Sequence, residues 1–302
     1  MTRRFAILAW SAAACTYLLI VLGGVVRITG SGMGCGDHWP LCNGHLFPPL
    51  NDIGTVIEWS HRLVAALVSV LVVALAAYGW WLDRRRRFVN PGLAPGVGTP
   101  TATFAAVGLL VLQILLGAIT VKLELPAWTV ILHLGTAMLL LATLLIIAVG
   151  SRPTLYPRSW LLIPLSFLTV LFGALTANLG AAAACGGFPL CNGQIWITGG
   201  PPALIHWLHR LLAYSLAVTA ALWAIRSRAR APFIVVGLVA LQVSIGAATV
   251  LLGLPAALQV AHVAVGTAVW GTVVLAVLAR RDSAERPGAS EAHRVLGGLR
   301  SE

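Results

Sequence analysis

Two short stretches of this chain place ionisable side chains one helical turn apart at the start of a long apolar segment. Glu58 and His61 form the first pair, and His206 and His209 form the second. Residues three apart on a helix lie on the same face. Carboxylates and imidazoles are costly inside an apolar segment, and there they commonly ligate a metal or move protons. These four residues are therefore the first candidates for chemistry.

The two stretches belong to a repeat that covers much of the chain. Residues 35–44 read CGDHWPLCNG, and residues 185–193 read CGGFPLCNG. Residues 112–133 and 241–262 match in unbroken register, and each stretch ends in a histidine, His133 or His262. Each half thus contributes two histidines at matching places. Membrane proteins are often built from internal repeats, and here both halves run in the same direction.

The composition is that of a membrane protein. Hydrophobic residues make up 59% of the chain and charged residues 10%, with a mean hydropathy of +0.90, whereas soluble domains average about 25% charged residues. Eight apolar stretches have the roughly 20 residues that a membrane-spanning helix needs. They are residues 5–27, 57–82, 102–122, 127–149, 159–180, 204–225, 232–253 and 256–279. We predict an all-α integral membrane protein whose eight transmembrane helices form two tandem pseudo-symmetric four-helix bundles.

The repeat also sets the expected boundaries. They are 1–150 for the N-terminal bundle, with an outer cysteine loop at 29–56; 151–281 for the C-terminal bundle, with an outer cysteine loop at 181–203; and 282–302 for a disordered cytoplasmic tail. Residues 83–101, rich in arginine, proline and glycine, are expected to form a flexible inner loop. We expect the first apolar stretch to be a transmembrane helix and not a cleaved signal, because it exceeds the signal-core length of about 7–15 residues.

The net charge of +11 indicates orientation in the membrane and not a nucleic-acid partner. Arginines cluster in alternate connections, at residues 3–4, 84–87, 152–158, 226–230 and 280–281. Cytoplasmic loops carry such an excess of positive charge. The pattern predicts a multi-pass plasma membrane protein in contact with lipid. Both termini would be cytoplasmic, and the connections 28–56, 123–126, 181–203 and 254–255 would lie on the outer side.

Two cysteine pairs lie in the predicted outer loops, where an oxidising compartment permits disulfides. The pairs are Cys35 with Cys42 and Cys185 with Cys191. A competing metal site would add His38 and His45 to the first pair, but the repeat keeps both cysteines and lacks both histidines. We therefore predict two disulfides. The sequence leaves open whether the first one exchanges electrons or only holds its loop together.

Four histidines in two symmetric pairs suggest haem ligation. Each half offers one imidazole from its second helix and one from its fourth, and two facing imidazoles in a four-helix bundle supply both axial ligands of haem iron. Zinc would recruit three or four protein ligands, and few others are nearby. His133 lies about 9 Å from the predicted start of its helix at the helical rise of about 1.5 Å per residue. All four histidines are therefore expected near the outer face.

Arg62 and Arg210 each follow a histidine directly. A guanidinium group at this depth could make bidentate contacts with haem propionates. It could instead extend toward the membrane interface as a snorkelling side chain. We predict propionate binding for both arginines.

The halves differ at one position, since Glu58 in the first corresponds to His206 in the second. A carboxylate beside a macrocycle can move protons. We infer that the first half performs chemistry and that the second half carries electrons. The alternative is that Glu58 only caps the start of its helix, where a negative charge suits the helix dipole.

The sequence resembles the haem A synthase family in its most specific parts. These are GSGMGCGDHWPLCNG at residues 30–44, EWSHR at residues 58–62, and the three later histidines His133, His209 and His262. The resemblance spans nearly the whole chain. It implies an oxidoreductase that acts on a methyl group, converting the C8 methyl of haem O to a formyl group by successive hydroxylations, so that haem A is supplied to terminal oxidases.

The resemblance also implies roles for individual residues. His61 and His133 would face the iron of the substrate haem, His209 and His262 would ligate a haem b cofactor, and Glu58 would be the catalytic carboxylate. The Cys35–Cys42 pair would match the disulfide associated with the reaction, and Cys185–Cys191 its structural counterpart. Haem O synthase and terminal oxidase assembly factors would be partners, and the oligomeric state is left open.

Two other functions need similar residues. A membrane cytochrome b would use two bis-histidine haems, but it would typically place them on both sides of the membrane. A haem carrier would need the histidines but not Glu58. The predicted position of all four histidines near one face disfavours a cytochrome b. A requirement for Glu58 would distinguish a synthase from a haem carrier.

Overall fold

The computed structural model of the chain describes residues 2–49, 51–89, 100–150 and 159–278, and this part of the chain is all-helical. It contains eight α-helices and no β-strand, as the composition predicts. The helices are α1 (Arg3–Ile28), α2 (Ile53–Val89), α3 (Pro100–Lys122), α4 (Ala127–Val149), α5 (Leu162–Asn178), α6 (Gly200–Ser227), α7 (Arg230–Leu251) and α8 (Ala256–Leu278). Two short 3-10 turns, Ser31–Met33 and Ala181–Ala184, follow α1 and α5.

Seven of these eight helices are long and apolar enough to cross a membrane. The eighth, α5, has 17 residues, which correspond to about 26 Å at the helical rise of about 1.5 Å per residue. That length falls slightly short of a hydrocarbon core of about 30 Å. The chain is therefore a multi-pass membrane protein.

Helix α2 extends beyond the predicted segment at both ends. It begins at Ile53 and continues through residues 83–89, where a flexible loop was expected. Two cation–π contacts support the extension, with Arg84 lying 4.1 Å from the Trp80 ring centroid and Arg85 lying 3.9 Å from that of Trp81. The expectation of a loop was therefore wrong for residues 83–89. Residues 90–99 lie outside the described part of the chain.

The helix ends use short-range polar contacts and proline. The Asp52 carboxylate accepts a hydrogen bond of 2.7 Å from the Thr55 N–H, which caps the start of α2. Pro126 precedes α4 with φ −62°, a value that proline adopts without strain. Gly150 ends α4 in the left-handed conformation, φ 66°, which glycine adopts readily. These local signals fix where α2 and α4 begin or end.

Each half of the chain has the same pattern of helix contacts. Helix α1 contacts α2 and α4, and α3 contacts the same two helices. In the second half α5 contacts α6 and α8, and α7 contacts the same two. The halves meet where α1 contacts α8 and where α4 contacts α5 and α8. The expected boundary between residues 150 and 151 falls at the edge of the described part of the chain, and the boundary at 281 and the tail 282–302 lie outside it.

The interface between the halves is the most buried part of the molecule. The Trp270 indole on α8 is 2% exposed and donates a 2.8 Å hydrogen bond to the carbonyl of Met138 on α4. The Phe167 ring on α5 lies 5.4 Å from the Trp270 ring, centroid to centroid. Between α1 and α8, the Tyr17 hydroxyl donates to the carbonyl of Ala264 at 3.0 Å. These contacts hold the two sets of helices against each other.

The repeat extends to backbone details of the connections. The α3–α4 turn closes with a 2.8 Å hydrogen bond from the Leu125 N–H to the Thr120 carbonyl, and the α7–α8 turn closes with a 2.7 Å bond from Leu254 to Thr249. Leu125 and Leu254 also share a left-handed conformation, with φ 63° and 64°. The duplication inferred from the letters is therefore a duplication of backbone structure.

Candidate functional site

Each of the four predicted ligand histidines packs against a glycine on the preceding helix. A Cβ atom added at these glycines would lie between 2.9 and 3.3 Å from the nearest imidazole atom. The pairs are Gly23 on α1 with His61 on α2, Gly117 on α3 with His133 on α4, Gly173 on α5 with His209 on α6, and Gly246 on α7 with His262 on α8. Because these four positions on the odd-numbered helices carry no side chain, the imidazole rings have room there.

Other glycines on two of the same helices lack such a contact. Gly108 on α3 and Gly237 on α7 have nothing within 4 Å of an added Cβ. Sequence reasoning missed the glycine partners. The repeat carried a signal for two of them, because Gly117 precedes His133 by the same 16 residues (133 − 117) as Gly246 precedes His262 (262 − 246).

The two histidines of the second half face each other. Their ring centroids are 6.4 Å apart and the rings are inclined by 77°. The Nδ1 atom of His209 lies 3.0 Å from the Thr169 carbonyl, the contact that metal-ligating histidines usually make through the nitrogen not bound to the metal. An iron with a bond of about 2 Å to an imidazole nitrogen on each side fits between two rings at this separation.

The histidines of the first half, His61 and His133, lie near the starts of α2 and α4, as their counterparts do in α6 and α8. All four rings are partly exposed within their helices. Among the described residues, the buried Nδ1 atoms of His133 and His262 have no hydrogen-bond partner. Partly accessible imidazoles with unpartnered nitrogens fit a bound haem better than a closed core, because a closed core would satisfy these atoms.

A glutamine on the preceding helix contacts the second histidine of each half. The Gln113 amide donates to the His133 carbonyl, and the Gln242 amide donates to the His262 carbonyl, both at 3.0 Å. Both glutamines lie four residues before the glycine that packs on the same imidazole. Sequence reasoning missed these residues too, although they stand at equivalent places in the repeat.

Glu58 is buried, with 4% of its surface exposed, and both of its carboxylate oxygens have partners. Oε1 pairs with the Arg62 guanidinium at 2.6 Å, and Oε2 accepts a 2.8 Å hydrogen bond from the Cys35 N–H. The helix-capping role considered for Glu58 belongs to Asp52, because α2 begins five residues earlier, at Ile53. Glu58 therefore makes a direct contact with residues 35–45 of the first cysteine loop.

The two arginines that follow the histidines hold the cysteine loops. Arg62 donates through Nη1 to the carbonyls of His38 and Leu41 at 2.8 and 2.6 Å. Arg210 donates to three carbonyls within the second cysteine loop. They are those of Gly187 at 3.0 Å, Leu190 at 2.9 Å and Cys185 at 2.8 Å. Propionate binding stays a prediction for both arginines.

The cysteines pair as their spacing predicts. Cys35 is joined to Cys42, and Cys185 to Cys191, with Cα atoms 4.4 and 4.7 Å apart. The four-ligand metal site with His38 and His45 is therefore not formed, because its sulfur ligands are consumed in the disulfide. Among the described residues no group of three or more histidine, cysteine or acidic side chains is placed to hold a metal ion.

His206, the counterpart of Glu58, contacts a different part of its connection. Its ring is buried, and its Nδ1 atom lies 3.2 Å from the Ala181 carbonyl in the 3-10 turn after α5. The position of the Glu58–Arg62 ion pair is taken by an imidazole–carbonyl contact, and Arg210 turns to the Cys185 carbonyl instead. The two halves thus share a scaffold and differ in the acid–base group beside the first histidine.

Comparison with known proteins identifies the family of this chain. The profile of the COX15-CtaA family, described as cytochrome oxidase assembly protein, matches residues 6–274. The chain belongs to the haem A synthase family. It is 34% identical over 210 residues to the Heme A synthase of Alkalihalophilus pseudofirmus, which covers 65% of this chain and 67% of the relative.

Longer matches extend the relationship across most of the protein. The Heme A synthase of Symbiobacterium thermophilum is 31% identical over 282 residues, covering 85% of this chain and 89% of the relative. That of Geobacillus kaustophilus is 32% identical over 286 residues, covering 84% and 86%. The family match includes both cysteine loops and all four histidines of this member of the haem A synthase family.

Proposed function

We propose that this protein is a haem A synthase. It oxidises the C8 methyl group of haem O to a formyl group through successive hydroxylations and so produces haem A. The observation that carries the proposal is the pairing of a family match over residues 6–274 with two histidine pairs in glycine-lined positions. Among the described residues, only the first of these pairs has a buried carboxylate beside it.

In this proposal the first half binds the substrate. His61 and His133 approach the iron of haem O from α2 and α4, and Gly23 and Gly117 leave room for their rings. Both histidines come from helices that also contact α1 or α3, so four helices enclose the substrate. Binding by two ligands from opposite helices orients the macrocycle relative to Glu58.

Glu58 is the proposed catalytic carboxylate. Its two hydrogen-bonded partners, Arg62 and the Cys35 N–H, fix the plane of the carboxylate within α2, one helical turn from His61. A carboxylate oriented in this way can accept a proton as the methyl group is oxidised or as water adds to it. His206 at the equivalent position of the second half binds a backbone carbonyl instead.

The second half is proposed to carry haem b. His209 and His262 would hold it, with the 6.4 Å separation of their rings and the Thr169 carbonyl at His209 Nδ1 as the supporting contacts. When bound there, haem b supplies a one-electron redox centre. The contact of α1 with α8 brings the histidine-bearing regions of the two halves together.

The Cys35–Cys42 disulfide is proposed to act with Glu58, because the Cys35 N–H donates directly to its carboxylate. A change in this loop would reach the carboxylate through that hydrogen bond. The Cys185–Cys191 disulfide would be structural, since its loop contacts Arg210 and its sulfur atoms pack with Ala203 and Trp207.

We further propose that all eight helices cross the plasma membrane as two tandem four-helix bundles with both termini in the cytoplasm. The arginines at the far end of α2 support this orientation, because Arg84 and Arg85 lie beside Trp80 and Trp81 as expected at a cytoplasmic interface. The cysteine loops would then face the outer, oxidising side. Haem O synthase and terminal oxidase assembly factors are the expected partners.

The test is extraction and chromatography of haem from the purified protein, expressed in cells that do and do not make haem O. We expect haem A or its hydroxylated precursor only when haem O is available. Haem b alone under both conditions would contradict synthesis and favour an electron-transfer protein. Unmodified haem O retained without oxidation would favour a haem carrier.

A further inference from the structure

A glutamine–threonine pair distinguishes the second histidine of the first half from that of the second half. The Gln113 amide nitrogen on α3 lies 3.0 Å from the His133 carbonyl and 3.4 Å from the His133 Nε2 atom. The Thr136 hydroxyl, one turn beyond His133 on α4, donates to the Gln113 amide oxygen. Because this hydroxyl holds the oxygen end, the N–H end of the amide must point toward the imidazole.

The second half lacks this constraint. The Gln242 amide nitrogen lies 3.0 Å from the His262 carbonyl, but the residue equivalent to Thr136 is Val265 (265 − 136 = 262 − 133 = 129). The Gln242 amide oxygen is buried and has no hydrogen-bond partner among the described residues. Within the described residues, the Gln242 amide also makes no hydrogen bond to the His262 ring. One repeat therefore offers its histidine an N–H donor, and the other does not.

We propose that Gln113 is a positioning residue that receives the His133 imidazole when this ring leaves the iron of the substrate haem. A released ring nitrogen in an apolar bundle needs a hydrogen-bond donor, because an unpartnered buried acceptor is unfavourable. Gln113, oriented by Thr136, supplies that donor at His133 Nε2. The exchange breaks one iron–nitrogen bond and forms one N–H···N hydrogen bond, with no transfer of a proton or an electron.

The inference rests on the proposed function and assigns different duties to the four histidines. His133 becomes the exchangeable ligand of the substrate haem, and His61 becomes the permanent one. His262 has no comparable donor, so it stays on its iron and suits a haem that only carries electrons. The difference between a reacting half and an electron-carrying half thus lies in Thr136 and Val265 as well as in Glu58 and His206.

Carbon monoxide binding tests the proposal, because the gas binds reduced haem iron only where an axial position is open. The experiment uses the full-length protein purified from cells that make haem O, reduced with dithionite, and measures the CO-reactive fraction of its haem O. We expect Gln113→Leu to lower this fraction about two- to tenfold, the range for loss of one neutral hydrogen bond. Thr136→Val, which installs the residue of the second half, should lower it in the same direction.

The matched variant Gln242→Leu should change the CO-reactive fraction of haem O less than twofold, since Gln242 lies in the second half, where its amide donates to the His262 carbonyl. The absorption of six-coordinate haem b in every variant reports that the second half is folded. A CO-reactive fraction that is unchanged in Gln113→Leu would overturn the proposal. So would a rise, which would mean that Gln113 holds His133 onto the iron.

Failure of this inference is distinguishable from failure of the proposed function. If the chain is not a haem A synthase, the unsubstituted protein forms no haem A from haem O, whatever its CO binding. If only the role of Gln113 is wrong, the unsubstituted protein forms haem A and the Gln113→Leu protein keeps its CO-reactive fraction.

Discussion

At the scale of single residues, polar side chains inside the helices are held by specific partners, and the partners differ between the halves. Glu58 binds Arg62 and the Cys35 N–H, whereas His206 binds the Ala181 carbonyl. Burial of a charge requires such pairing. The same scaffold can therefore hold a carboxylate in one half and an imidazole in the other.

Replacement of Glu58 by glutamine tests its catalytic role. Glutamine keeps the size and one acceptor oxygen for the Cys35 N–H, but it cannot take up a proton. We expect haem A formation to fall about 10²–10⁴-fold, the usual contribution of a general base, with haem b content unchanged. Haem extraction and chromatography measure both quantities.

His206→Gln is the matched control for Glu58, because it changes the equivalent position of the other half. It should lower haem A formation much less than Glu58→Gln does. Equal losses in the two variants would contradict a special role for the carboxylate.

Arg210 offers a test of the loop contacts. Its side chain is buried, with 6% of the residue exposed, and it donates to three carbonyls of the second cysteine loop. Arg210→Gln should leave buried carbonyl oxygens without donors, at a cost of about 1–3 kcal/mol in the free energy of unfolding. Loss of bound haem b on heating measures the change. Arg226→Gln, at the exposed end of the same helix, should shift the midpoint temperature of haem loss by no more than about 1–2 °C, because surface substitutions usually change stability by less than about 0.5 kcal/mol.

At the scale of secondary structure elements, α1, α3, α5 and α7 supply space and α2, α4, α6 and α8 supply the four histidines. Each imidazole lies against a glycine of its neighbour. Small residues let membrane helices approach closely, and here they also determine where a ring can lie. A histidine on an apolar helix becomes a ligand only if the adjacent helix leaves room for its ring in the correct orientation.

Gly246→Ala tests this division of roles. The new Cβ would lie 3.0 Å from the Cε1 atom of His262, so the ring must move from its place opposite His209. We expect a severalfold loss of haem b from the purified protein, measured as haem per protein by absorption. The loss should occur even though alanine favours a helix over glycine by about 1 kcal/mol.

Gly237→Ala, on the same helix, is the matched control, since nothing lies within 4 Å of its added Cβ. It should keep full haem b content. In the first half, Gly117→Ala and Gly108→Ala form the equivalent pair for haem O. If both members of a pair lost haem equally, the loss would come from the helix and not from the ring contact.

At the scale of the whole molecule, two similar sets of helices meet along α1, α4, α5 and α8. The histidines of both halves lie within the first three turns of even-numbered helices, on the side of the cysteine loops. Both candidate haem sites are therefore at one end of the molecule. This arrangement supports exchange of electrons between neighbouring haems and not transfer from one membrane face to the other.

Labelling with a membrane-impermeant maleimide tests the proposed orientation. Phe47, which follows the disulfide in the first cysteine loop, is 74% exposed, and Phe88 near the far end of α2 is 90% exposed. We expect Phe47→Cys to be labelled in intact cells and Phe88→Cys only after lysis. The unsubstituted chain, whose unpaired Cys15 is partly buried in α1, gives the background. Labelling in the reverse order would contradict cytoplasmic termini.

The sequence by itself determined the helical class, the duplication, both disulfides and the four histidines. These features follow from patterns along the chain: apolar runs of membrane length, a repeat read letter by letter, and cysteines close enough to pair. The extent of α2 was misjudged because arginines at residues 84–87 read as a loop, whereas Trp80 and Trp81 provide surfaces on which two of them stack within the helix.

The tertiary structure alone decided which groups the polar side chains meet. Arg62 and Arg210 reach backbone carbonyls about 20 residues away, Asp52 takes the capping role considered for Glu58, and Gln113 reaches His133 from another helix. Such contacts depend on how helices are rotated and spaced relative to one another. No local pattern encodes that relationship, because every helix here is apolar over most of its surface and the packing of the whole chain selects the face that each one turns inward.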